Sequence, residues 1–250
     1  MAKKYLDMSG EEFINKFVAG ERDFSGIRLP KYTDFSREEF QPIRRPYEGR
    51  IILIGSSLKE LFAPKIWLMN ADLRSANLRS ANLTSAYLSL ADLTSANLGF
   101  ANLRSANLTS AYLTYANLKS ANLRSAYLRS ANLTYANLRS ANLESANLRS
   151  ANLRSANLTS ANLRSANLEY ADLLFASLKS ASLKSANLKS ANLESANLES
   201  ASLKSANLTQ VIGLKEAGSL AMANILNVRT DPKNRRIIQA AYDNRKLFTD

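Results

Sequence analysis

The sequence predicts an all-β solenoid: short extended sides coiled and stacked along one axis, with a short helix before the stack and two capping helices after it. Three observations predict this. Ala stands at 71 and every fifth residue to 206, and Leu at 73 and every fifth residue to 208, giving 28 units without a slip in register. Gly and Pro are nearly missing from that tract, since of 8 Gly only Gly99 falls in it, and none of the 5 Pro. Helix-start signals stand only in the flanks.

A period of five fits neither regular element. A helix turns about 100° per residue, so leucines five apart scatter around it and leave no apolar stripe. A plain strand alternates with period two, which would send successive leucines to opposite faces. A chain that turns after each unit resolves this. Ala and Leu, two apart, point the same way in an extended segment, and that way is inward. The residue between them, usually Asn, points out, and the next two lie outside or at the corner. No single coil can bury its own leucines, so stability has to come from stacked neighbours. The core is therefore expected at Leu73, Leu93, Leu113, Leu133, Leu153, Leu173 and Leu193 and at their equivalents on the other sides.

The repeated A-(N/D)-L-x-x unit resembles the signature of pentapeptide-repeat proteins, over somewhat more than half of the chain. The resemblance implies a right-handed quadrilateral β-helix with four units per coil; the square section comes from the family, not from the period. One departure is visible. The last position of the unit, often Gly in relatives, is mostly Ser here, which predicts turns other than those that need φ > 0.

The elements follow in chain order. Residues 1–50 are expected to form a cap helix, a degenerate repeat and an insertion loop. Ser9 with Glu12 makes a capping box, and Phe13, Phe17 and Val18 give an apolar face for a helix over Glu11–Ala19. The phrase ERDFSGIRL, with Phe24 and Leu29 five apart, resembles the opening of many cyanobacterial pentapeptide-repeat proteins. Residues 30–50, with Pro30, Pro42, Pro46 and several charges, predict a loop into which Phe35 and Phe40 can still insert. The β-helix is placed at 51–210, because Ile51, Ser56, Leu61 and Ile66 occupy the Ala slots and Leu53, Leu58, Ala63 and Leu68 the Leu slots. Trp67 then points outward, under the insertion. Residues 211–250 are expected to be a helical cap. Gly213 falls where Leu is due, Leu214–Asn227 has helical spacing, and Asp231-Pro232 starts a second helix with Ile238, Ala241 and Phe248 on one face. Such helices would cover the open edge of the stack, or join two copies as a homodimer.

Composition removes whole classes of chemistry. With no Cys there are no disulfides, thiolate metal sites or cysteine nucleophiles, and with no His the usual general base is missing. No phosphate loop and no distinctive carboxylate pair stands out, so an enzyme, a cofactor or a metal centre is not expected. The start lacks the apolar core of a signal peptide, and Ile51–Ile54 is too short to span a membrane, which makes the cytoplasm the expected location. Formal net charge is +12.

If four units make a coil, residues twenty apart stack, and the sides differ. One is the least charged at its exposed fourth position and carries aromatic residues: Tyr112, Tyr115, Tyr135 and Phe175. The opposite side stacks Arg104, Arg124, Arg164, Lys184 and Lys204, with Glu144 placed to bridge Arg124 and Arg164. Asp72 and Asp92 fall one coil apart, but Tyr112 follows them, which makes a poor metal site. The expected function is a non-catalytic rod that binds another protein. The alternative is binding of a polyanion, nucleic acid or an anionic surface, through the basic side, without membrane insertion. A third reading comes from relatives that mimic duplex DNA and inhibit gyrase; that mimicry needs an acidic surface, and this chain has the opposite sign. A consensus-style engineered tract also fits so strict a repeat.

Overall fold

The computed structural model describes residues 5–31, 33–36, 38–44, 49–215, 223–225 and 227–246. The five-residue unit is one side of a coil. In Ala116–Ser120 every backbone N–H has a partner. Asn117 donates back to Ala96 O at 2.9 Å, and Leu118 and Ser120 donate forward to Asn137 O and Arg139 O at 2.7 and 2.9 Å. Ala116 closes a turn onto Leu113 O at 3.0 Å, and Lys119 donates to the Asn117 side chain at 3.1 Å. Buried or edge-on backbone groups need this full accounting, and it explains the residue between Ala and Leu. An Asn there accepts the one N–H that the turn leaves over, two residues on, as Asx turns do.

Parallel bridges join residues twenty apart, such as Asn77 to Asn97, Asn82 to Asn102, Tyr87 to Asn107 and Asp92 to Tyr112. Four ladders of this kind run along the tract, so four units make one coil with four sides. Ala and Leu of all 28 units are at most 1% exposed, including Leu73, Leu93, Leu113, Leu133, Leu153, Leu173 and Leu193. Each such leucine contributes about 2 kcal/mol of burial.

The corners overturn one expectation. Ser at the fifth position does take positive φ, from Ser75 (56°) to Ser205 (59°), and Tyr115, Tyr135 and Phe175 do the same at 58–59°. Only the third residue of each four-residue turn has φ > 0, which is the sign pattern of a type II turn. The ladder bond made by the corner N–H, and the packing on both sides of it, hold a residue there that would avoid this region in isolation.

At the N-terminal end, β1 (Leu6–Asp7) pairs in parallel with β2 (Ile27–Arg28). Bridges from Asp23 to Ile52, Arg28 to Ser57 and Asp34 to Phe62 begin the stack. Helix α1 (Gly10–Val18) starts at Ser9, whose side chain accepts the Glu12 N–H. It buries Phe13, Ile14 and Phe17, and the Phe13 ring lies 4.4 Å from Phe24 and 5.4 Å from Phe35. Val18, expected on that face, is 64% exposed because the helix ends there and turns it outward. Phe35 is inserted, with 1% exposure, and its N–H donates to Phe62 O. A 3₁₀ segment, Glu38–Arg44, occupies the fourth side, where Ile43 O accepts the Trp67 N–H at 2.9 Å. Trp67 is half-buried, its ring 4.5 Å from Tyr87. The Phe40 side chain and residues 45–48 lie outside the described residues.

At the other end the ladder outlasts the strict repeat. Ile212 pairs with Asn192, Asn224 with Ser202 and Arg229 with Asn207. Gly213 passes directly over Glu194, where an added Cβ would lie 2.4 Å from Glu194 Cα, so no side chain fits, and Leu214 turns in instead. The helix expected over Leu214–Asn227 is corrected at its described end. Ala223, Asn224 and Ile225 repeat the Ala-Asn-Leu phase with Ala223 and Ile225 buried, and Asn227 takes the corner φ of 56°. Residues 216–222 lie outside the described part, as does Phe248. The second helix is present as α2 (Pro232–Lys246), with Ala241 buried and Ile237 and Ile238 packed against the core.

Candidate interaction faces

The aromatic side is built by corner geometry. A side chain at positive φ projects outward, and one rung separates equivalent corners. The Tyr115 and Tyr135 rings therefore stack, with centroids 5.0 Å apart and planes 4° from parallel. Tyr115 is 60% exposed, Tyr135 53%, Phe175 60% and Tyr112 51%, so all four line one accessible strip. Phe175 stands two rungs beyond Tyr135, with Ser155 between them. Two aromatic corners escaped the sequence reading: Phe100 lies under Arg79 and Tyr170 under Arg149, at 5.2 and 5.5 Å from the guanidinium carbons.

The same side holds the Asp72–Asp92 pair. Arg74 grips Asp72 with two bonds of 2.8 and 2.7 Å, and Arg50 lies 3.4 Å away. The Arg74 hydrogen bonds hold the Asp72 carboxyl below its ordinary range. Asp72 is thus an internal ion-pair residue. Among the described residues no cluster of three acidic, His or Cys side chains could hold a metal.

On the opposite side Arg104, Arg124, Arg164, Lys184 and Lys204 are all exposed. Glu144 reaches Arg124 at 3.9 Å. The expected second arm of that bridge, to Arg164, is not among the ion pairs of the described residues. Elsewhere the rod alternates sign along a side, as in Arg149–Glu169–Lys189 and Lys179–Glu199. Arg164, Lys184 and Lys204 stack on three successive rungs without that relief. The sequence reading also missed what accompanies them. In the units Ala176–Ser180, Ala181–Ser185 and Ala201–Ser205, Ser replaces the outward Asn, and each time Lys occupies the fourth position.

The chain matches the family model for pentapeptide repeats (8 copies) over residues 71–109, 106–144, 141–174 and 176–212, more than half of its length. It belongs to the pentapeptide-repeat family. Among solved structures it is similar to HetL, a pentapeptide repeat protein involved in heterocyst differentiation regulation from the cyanobacterium Nostoc sp. strain PCC 7120. Identity is 29%, coverage 89% of this chain and 94% of HetL, and the TM-score 0.60. It is also similar to full-length QnrB1, a plasmid-mediated fluoroquinolone resistance protein, at 15% identity, 78% and 99% coverage and a TM-score of 0.62, a likeness of fold alone. No curated protein matches the sequence. Among the described residues no helix is long and apolar enough to cross a membrane.

Proposed function

We propose that this protein is a non-catalytic, rigid rod, a right-handed quadrilateral β-helix that works in the cytoplasm as a docking scaffold for another protein. The observation that supports this reading is the exposed, stacked Tyr115–Tyr135 pair, continued by Tyr112 and Phe175 on the side least charged at its fourth position. Aromatic side chains are enriched at protein interfaces and carry much of their binding energy. The Tyr115, Tyr135 and Phe175 N–H groups donate to the Thr134, Arg154 and Glu194 carbonyls of the next rung, which makes the strip pre-organised and costs little ordering on binding. The test is capture of partners from a host lysate by the parent rod and by Tyr115→Ser/Tyr135→Ser/Phe175→Ser. Serine is the residue at the sister corners, so the triple variant should fold and melt as the parent does. A partner retained equally by both would overturn the aromatic strip as the docking surface.

A second reading, polyanion binding, is favoured by one observation: Arg164, Lys184 and Lys204 stack without a neutralising carboxylate among the described residues. Its test is salt-dependent retention on heparin, compared with Arg164→Gln/Lys184→Gln/Lys204→Gln.

A further inference from the structure

The unit Ala-Ser-Leu-Lys-Ser occurs three times, and its three environments differ. In an ordinary unit the Asn side chain accepts the N–H of the fourth residue, as Asn162 does for Arg164 at 3.2 Å. Ser, a weaker former of such turns, makes no such bond at 177, 182 or 202 among the described residues. At Ser177 the hydroxyl lies 3.0 Å from Thr159 Oγ1 and Lys179 pairs with Glu199 at 2.8 Å, so that rung's hydroxyl and ammonium are both engaged. At Ser182 and Ser202, which stack on successive rungs of the basic side, nothing equivalent is present among the described residues. Among the described residues the N–H groups of Lys184 and Lys204 find no acceptor and their ammonium groups no carboxylate. The Ser202 hydroxyl is enclosed without a hydrogen-bond partner. Arg164 stands one rung further along, also without a carboxylate.

We propose that Ser182, Lys184, Ser202 and Lys204, with Arg164, form a two-rung oxoanion site that takes a diphosphate group. The inference rests on the polyanion reading of this side and names its ligand chemistry. An anionic oxygen seated where the Asn carbonyl would be accepts the backbone N–H of one rung. The lysine of that rung supplies the countercharge. Backbone amides and lysines together are a common way to hold phosphate oxygens. The second rung repeats the same donors about 4.8 Å away, the strand spacing. A single phosphate engages one rung; the outer oxygens of a diphosphate reach both, and Arg164 neutralises the charge that remains.

The test uses the full chain, with inorganic pyrophosphate and orthophosphate as probes, in calorimetry and in amide-resolved NMR. The expected results are pyrophosphate binding at least tenfold tighter than orthophosphate and shifts centred on the Lys184 and Lys204 amides. The deciding variant is Ser182→Asn/Ser202→Asn, which keeps every charge and restores the side-chain acceptor found in the rest of the rod. It should lose at least tenfold in pyrophosphate affinity while its retention on heparin stays unchanged. Equal pyrophosphate affinity in variant and parent, or shifts spread evenly over the basic side, would overturn the site and leave polyanion binding by charge alone. Loss of heparin retention only in Arg164→Gln/Lys184→Gln/Lys204→Gln separates that broader reading from this one.

Discussion

The Asp231 carboxylate accepts the backbone N–H of Gln210 at 2.6 Å, while its other oxygen accepts the Asn234 N–H at 2.9 Å. One residue thus caps helix α2 and ties it to the corner of the coil before it. Asn234, 2% exposed, completes the joint by donating to Val211 O at 3.0 Å. This joint fastens α2 to the end of the stack.

The joint should respond to acid. The Asn234 N–H first, and the Gln210 N–H second, lower the Asp231 pKa below its ordinary value. A carboxylate depressed in the folded state stabilises above its unfolded pKa of about 4, and that contribution is lost as pH falls through the folded value. The protection of the 234–246 amides, measured relative to their intrinsic exchange rates, should therefore fall at acid pH before the rod melts. Asp231→Ala should cause the same loosening at neutral pH, at a cost of about 1 kcal/mol, the usual value of an N-cap. Unchanged protection of α2 in that variant would mean that apolar packing alone holds the helix in place.

The corners should rank substitutions by backbone conformation rather than by polarity. Ser120 has φ 57° and donates its N–H to Arg139 O. Ser120→Gly should hold or raise the melting temperature, because relief of about 1 kcal/mol of left-handed strain offsets the greater freedom of Gly in the unfolded chain. Ser120→Val should lower it, and Ser120→Pro should be the most damaging, since Pro cannot reach positive φ and removes the ladder donor. Thermal denaturation of the three variants checks the order; a Pro variant as stable as the Val variant would contradict it.

The twenty-residue ladder makes deletions non-monotonic. Removing Ala141–Ser160 takes out one coil, leaves every side aligned and should shorten the rod by about 4.8 Å. Removing Ala141–Ser145 keeps the Ala/Leu phase, yet turns everything beyond it by a quarter and parts Arg124 from the Arg164–Lys184–Lys204 column. Removing three residues breaks the phase and forces leucines outward. Melting temperatures should fall in the order twenty, five, three, although the smallest deletion removes least. Equal tolerance of three and twenty would show that the five-residue unit does not carry the fold.

Much of this protein is written in its periodicity. The inward Ala/Leu pair, the outward Asn and the independence of each unit follow from residues two and five apart, because those spacings allow only one burial pattern. The flank signals were local too: Ser9 and Asp231 cap helices as their neighbours announced. What the sequence left open depended on contacts between distant residues. The positive φ of the serine corners is imposed by the rungs on either side, not by serine's own preference. Phe35 enters the core because Phe62 offers a ladder carbonyl, although prolines surround it in sequence. Ala223–Ile225 rejoins the stack because Ser202 supplies a partner, where local spacing suggested a helix. The candidate faces divide the same way. The lines of tyrosines and of cations could be drawn once a twenty-residue coil was assumed. Only the stacked structure decided that the Tyr115 and Tyr135 rings lie parallel and that Glu144 reaches one arginine rather than two. It alone decided that the Ser177 rung engages its hydroxyl and its Lys179 ammonium with neighbours, contacts that the described residues do not provide at the Ser182 and Ser202 rungs. A repeat fixes which way side chains point; what they meet there is set by residues twenty apart.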